Sequence, residues 1–231
     1  MMNGLTKKVL TLATFVVLSL AAAPAAFADT FTEVGDAPGV LPGQSVTGGA
    51  NPLTAINGTI SGPIDADVFR IYISSPATFS ATTCCGFASG SLSDTQLFLF
   101  TPTGFGILAN DNFNGQFAAL LGNVVPGLTP GEYLLAITSS DVDPIGEFGE
   151  IFPDVGGFTP PDSFRGTRPL VFFIGSSSGV GTYTINLTGA SFVAQPTAVP
   201  EPATILLLGT GLASVGAALR RRRHGAKSVP A

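Results

Sequence analysis

Few residues in this chain are equipped for bond-making chemistry. There is one histidine, His224, and there are two cysteines, adjacent at Cys84 and Cys85. A Ser-His-Asp or Cys-His relay needs an imidazole beside its nucleophile, and zinc sites draw on several His or Cys ligands. With the one imidazole at His224, in the arginine-rich C-terminal segment, the rest of the chain has none of these options. Carboxylates are better supplied. Asp65/Asp67 and Asp141/Asp143 are pairs in turn-rich segments beside strand-like runs. Such a setting solvates a loop or holds calcium more readily than it transfers protons. In "ANDNFNG", Asn110, Asp111, Asn112 and Asn114 bring oxygen-bearing side chains into one loop, although the acidic end of an EF-hand loop is missing. Asp65 and Asp67 add carboxylates to that site if the fold joins the loops. The same Asn and Asp residues also make turns by themselves, through left-handed backbone and side-chain-to-backbone bonds. Calcium is therefore the one cofactor the sequence raises, and the expectation is a non-enzymatic protein. For Cys84 and Cys85 a vicinal disulfide, two intermolecular bonds and free thiols all fit, because neighbouring cysteines close only a strained ring. The Cys-x-x-Cys spacing of redox enzymes is absent.

The elements that must position these groups are short. The 231 residues include 29 Gly and 18 Pro, with 45% hydrophobic and only 11% charged residues. An ordinary soluble domain carries about a quarter charged residues. The charges are also segregated: all 15 acidic residues lie between Asp29 and Glu201, where only Arg70, Arg165 and Arg168 oppose them. So acidic a surface repels phosphate backbones and argues against nucleic-acid partners.

Both termini read as addresses. Lys7 and Lys8 precede an apolar run from Val9 to Ala23, and Ala26-Phe27-Ala28 then supplies the small-x-small pattern of signal-peptidase cleavage. This predicts a signal peptide over residues 1–28 and a mature protein starting at Asp29. Near the other end, Pro200-Glu201-Pro202 is followed by an uncharged run over Ala203–Leu219 and by Arg220, Arg221, Arg222 and Arg223. As a helix, residues 203–219 would be about 25 Å long, at the short limit for a membrane span. The arginines would stay on the cytoplasmic side, as would Lys7 and Lys8, leaving residues 29–198 outside. The prolines keep the preceding segment extended, where a protease could reach it. In order and spacing, "VPEPATILLLGTGLASVGAALRRRR" resembles the PEP-CTERM sorting signal of Gram-negative bacteria. That resemblance implies that residues 199–231 form a sorting segment recognised by an exosortase. It implies cutting near Pro200-Glu201-Pro202, a transient stay in the inner membrane, and a final place in the envelope or outside the cell. It also implies the company of exopolysaccharide and biofilm matrix.

The intervening body shows period-two alternation and no helical period of useful length. "DVFRIYIS" places Phe69, Ile71 and Ile73 on one face, "GEYLLAITS" does the same with Tyr133, Leu135 and Ile137, and "GTYTINLTG" with Tyr183, Ile185 and Leu187. "TQLFLF", Thr95 to Phe100, is apolar on both faces and predicts a strand covered on both sides. Weaker runs lie at Ala55–Ile60, Ala77–Thr83, Gly106–Asn110, Ala118–Val125 and Leu170–Gly175. The expectation is an all-β body, a β-sandwich or jelly roll of about nine short strands. Asp141 to Pro169, acidic and rich in Pro and Gly, is expected as a long surface loop. The succession "DADVFRIYI", "SDTQLFLFTPTGFGILANDN", "LTPGEYLLAITS", "GTYTINLTG" resembles bacterial pre-peptidase C-terminal domains, small secreted β-sandwiches; the resemblance points to fold more than to function.

These expectations converge on an exported, non-catalytic envelope or matrix protein. The alternative is a calcium-dependent module binding polysaccharide or protein, in which Tyr72, Tyr133 and surface Phe would replace the missing Trp as stacking platforms. A secreted hydrolase working through its carboxylates ranks third.

Overall fold

The computed structural model describes residues 28–83, 91–113, 117–153, 157–177 and 179–193. Residues 1–27, Cys84, Cys85, Asn114 and the segment from 194 onward, with the expected helix over 203–219, lie outside the described residues. Among those described, the chain is all-β: fourteen strands and three single 3-10 turns, without an α-helix. In chain order the strands are β1 (Asp29–Thr32), β2 (Ser45–Val46), β3 (Leu53–Ile60), β4 (Ala66–Ile73), β5 (Ser80–Thr82), β6 (Thr95–Phe100) and β7 (Gly106–Asn110). They continue as β8 (Ala119–Leu121), β9 (Gly131–Ser139), β10 (Val142–Gly146), β11 (Gly149–Glu150), β12 (Phe172–Gly175), β13 (Gly181–Thr188) and β14 (Ala190–Ser191).

Two sheets carry most of the chain. One runs β1-β3-β13-β5-β8; the other runs β14-β4-β9-β6-β7, with β2 beside β4. Alternation explains why they pack face to face. Ile56, Ile60, Ile185 and Leu187 from the first sheet meet Phe69, Ile71, Leu135 and Ile137 from the second in a single core. On β13 the outward set Thr182, Thr184 and Asn186 stays exposed while Tyr183, Ile185 and Leu187 are buried, as the alternation predicts.

The second sheet is covered on its other face too. All six residues of β6 are buried. Phe98 and Phe100 point away from the main core, into a second cluster with Val68, Leu134, Ile151, Phe152 and Phe173. Its cover is the stretch expected as a surface loop. Instead of looping out, Asp141–Pro169 contributes β10 and β11, which join β12 in a third sheet ordered β11-β10-β12. The physical reason is the apolar back of β6 and β9, which needs a partner; Val142, Ile151, Phe152 and Leu170 supply it.

Candidate cation site

Asp65 and Asp67 sit where β3 turns into β4. Asp65 belongs to the turn, where Ser61 donates to its Oδ2 from both backbone N (2.5 Å) and Oγ (2.9 Å). Asp67 is the second residue of β4 and is 0% exposed. Strand alternation aims its side chain between the sheets, alongside Phe69 and Ile71, a place otherwise reserved for apolar groups. Tyr183 of β13 reaches across to donate to Asp67 Oδ2 at 2.6 Å. Asp67 Oδ1 is buried and has no hydrogen-bond partner.

Two further carboxylates arrive from the segment after β1. This strand pairs in parallel with β3, and the pairing is continued by Glu33 N donating to Asn57 O. Glu33 thereby lies beside β3, where its Oε1 accepts from Thr59 N at 2.6 Å. Its Oε2 is buried without a hydrogen-bond partner. Asp36 follows in the next turn and accepts from Ser61 Oγ at 3.4 Å. One oxygen each from Asp36, Asp65 and Asp67 lie within 4.8 Å of one another.

The electrostatics follow from this crowding. Burial pushes the Asp67 carboxyl up to about 8, against the favourable bond from Tyr183; the negative charges of Glu33, Asp65 and Asp36 raise it further. Glu33 is raised as well, first by burial and also by Asp36 and Asp65, although the Thr59 N–H bond and a hydrogen bond shared with the Asp67 carboxyl oppose the rise. The Tyr183 phenol is pushed up by burial and by the adjacent Asp67, so it remains a donor. Every charge acting on Asp67 is negative. Strongly raised carboxyls are found at functional sites and in buried structural networks alike. General-acid work is a poor fit, because Asp67 presents no surface to a polymeric substrate. A small cation is a better match to converging oxygens that run from the exposed Asp36 to the buried Asp67.

A glycine makes the room. Gly58 pairs with Tyr183 across β3 and β13, and a Cβ there would collide with the phenol oxygen and come within 2.9 Å of Glu33 Cδ. Gly58→Ala is therefore expected to cost about 1–3 kcal/mol by overpacking and to dislodge the Tyr183–Asp67 bond. Gly62→Ala, whose nearest contact would be Asp65 Cβ at 3.9 Å, is expected to be close to neutral. Urea titration of both variants checks this; equal stabilities would show that the close approach at Gly58 is unimportant.

The Asn-rich loop goes elsewhere. Asn110 closes β7, which stands three strand positions from β4 in its sheet, a lateral separation of about 14 Å at normal strand spacing. Asn110 Oδ1 accepts from Ala119 N at 2.9 Å, and Asn112 Nδ2 donates to Asp111 Oδ2 at 2.6 Å. Asn110 and Asp111 line a small cavity with Gln96 and Asp143, and Gln96 Nε2 donates to Asp143 at 3.4 Å. Its described residues, Asn110, Asp111 and Asn112, thus lie apart from Asp65 and Asp67, and Asn110 ties the end of β7 to the start of β8. Of the two tyrosines considered as stacking platforms, Tyr72 is half-buried, whereas Tyr133 is buried and donates to Thr129 O at 2.8 Å. Of the processing residues, Ala28 is exposed just before β1, while Ala26 and the C-terminal group lie outside the described residues.

Glu33 and Asp36 were not singled out in the sequence, because nothing local marks them. Their signal is the β1–β3 pairing, and parallel neighbours leave no hairpin signature.

Comparison with known families finds one match: residues 198–223 fit the PEP-CTERM protein-sorting motif. The match spans Pro200-Glu201-Pro202 and the whole of Arg220–Arg223, as the sequence resemblance predicts. It marks an exported protein that is anchored in the membrane before an exosortase processes it. No family match covers the body, and no curated protein matches the chain.

Proposed function

We propose that a chain addressed for export by this motif works outside the cell as a non-catalytic structural component of the envelope or the extracellular matrix, with residues 29–198 as a β-sandwich domain. The observation that carries the reading is the motif at 198–223, which supports export and processing by an exosortase. Removal of the C-terminal tail would take away His224, the sole imidazole, and with it the usual relay for hydrolysis. The buried Asp67 is out of a polymer's reach, and Tyr133 is spent on a structural bond rather than on sugar stacking. Position 29 also suits a mature N-terminus, since β1 starts there and Asp29 N donates to Pro52 O at 3.0 Å.

Intact mass of the protein recovered from the external fraction tests this. The expected species starts at Asp29 and ends near Pro200-Glu201-Pro202, without Arg220–Arg223. A species retaining Ala231 and confined to membranes would overturn sorting and release together.

A further inference from the structure

We propose that Glu33, Asp36, Asp65 and Asp67 form a calcium site that fastens the N-terminal arm of the exported protein to its body. The proposal rests on the export reading only for its calcium supply, since extracellular modules commonly work at affinities of about 0.1–1 mM.

The division of labour among the oxygens carries the argument. Thr59 N holds Glu33 Oε1, the Ser61 N and Oγ hold Asp65 Oδ2, and Tyr183 holds Asp67 Oδ2. Protein donors thus orient one oxygen of each of these three carboxylates, as outer groups orient the ligands of a metal. The remaining oxygens of Glu33 and Asp67, Oε2 and Oδ1, are buried without a hydrogen bond from any N–H or hydroxyl, so only a proton shared between the two carboxyls or a cation can satisfy them. Asp67 itself is wholly buried. A carboxylate oxygen without a donor inside a protein is costly unless a proton or a cation satisfies it. Carboxylate oxygens are the ligands of hard cations such as calcium. One oxygen each from Asp36, Asp65 and Asp67 lie within 4.8 Å of one another, and such a set fits inside a calcium coordination sphere, whose opposite ligands stand about 4.6–5.2 Å apart, twice the bond length. Calcium also tolerates the irregular geometry that four carboxylates from two segments impose.

The consequence for the arm follows from how weakly it is otherwise held. β1 has four residues at the edge of its sheet, and of these only Phe31 is not exposed, packing edge-on against Phe69 at 5.9 Å. Ala37 is the next residue of the arm to be buried. Between them, Glu33 and Asp36 attach through the carboxylate cluster. A calcium ion would tie these two to Asp65 and Asp67, joining the start of the mature chain to the β3–β4 turn.

The test is calorimetric titration of the full purified chain with calcium chloride, joined to terbium luminescence excited through the tyrosines and to amide exchange over Glu33–Ala37. One saturable site is expected, with terbium emission sensitised by Tyr183 and displaced by calcium, and with slower exchange of the arm amides when calcium is bound. Asp67→Asn should weaken binding at least tenfold, and Asp162→Asn, an aspartate of the segment before β12 that bonds to Phe164 N and Arg165 N, should leave it unchanged. If Asp67→Asn fails to fold, the exposed Asp36→Asn carries the same expectation. Absence of a saturable site at millimolar calcium would overturn the proposal, as would equal binding by Asp36→Asn or tighter binding of magnesium. Export is read from the mass of the external protein, so the two readings can fail separately.

Discussion

Replacing Phe98 by Ala should destabilise the protein by about 3–5 kcal/mol, the range for removing a buried aromatic ring. For a domain of this size that is a fall in Tm of roughly 6–20 °C. Phe98 points away from the core between the two large sheets, yet it is only 2% exposed. Its ring lies 5.7 Å from Phe152, 6.0 Å from Phe173 and 6.4 Å from Phe100. Two of these neighbours come from the chain beyond residue 150, so the loss measures how firmly that segment is docked. Phe164 belongs to the same segment but is 65% exposed and, among the described residues, stacks on Phe148 alone, so Phe164→Ala should cost well under half as much. Urea denaturation of both variants decides. A Phe98→Ala cost below about 1 kcal/mol would mean that the outer face of β6 is not a packed core.

Phe98 also marks where the sequence is readable and where it is not. "TQLFLF" is apolar on both faces, which requires a covering layer on each side, and the buried β6 shows both. The identity of the second cover is hidden, because β10 is five residues long and contains Pro144, a residue that signals turns or edges rather than a paired strand. Here Pro144 pairs with Phe173 on one side, while its carbonyl accepts from Ile151 N at 2.9 Å on the other. Strands long enough to show two or three alternations are legible, as β4, β9 and β13 are. Those of two to four residues, such as β1, β2 and β14, carry too few positions to display a period. The candidate site divides in the same way. Asp65 and Asp67 stand out as a local pair beside a strand. Glu33 and Asp36 join them only through a pairing that spans more than twenty residues, whereas in the Asn110 loop, more conspicuous in sequence, Asn110 bonds to the first residue of β8.

The carboxylate cluster also fixes how stability depends on pH. In chelator, the protein should become less stable as pH rises from 5 to 8, the reverse of ordinary acid denaturation. Asp67 in the unfolded chain releases its proton near the ordinary aspartate value, whereas in the fold burial and the charges of Glu33, Asp65 and Asp36 hold the proton up to about 8. Between those limits the folded state binds more protons than the unfolded state, so the stability is complete at low pH and is lost as pH climbs through the folded value. Glu33, raised in the same direction, adds to the slope. Asp162 works oppositely, because the N–H groups of Arg165 and Phe164 lower it, but its effect belongs to the acid side of this window. One proton amounts to about 1.4 kcal/mol per pH unit at most, hence up to roughly 3 kcal/mol between pH 5 and 7. Asp67→Asn keeps an acceptor for Tyr183 but removes one of the two raised carboxyls, so its chelated form should lose Tm less steeply over the same range, with only the part due to Glu33 remaining. Saturating calcium should restore the wild-type protein at pH 8 by about 2.7 kcal/mol when present at a hundred times its Kd, because the ion takes the proton's place among the same oxygens. Scanning calorimetry across pH, with and without chelator, measures all three. A wild-type Tm in chelator that rises toward pH 8 would show that Glu33 and Asp67 are solvated rather than confined, and the cluster would then be a charged surface turn with no need of a cation.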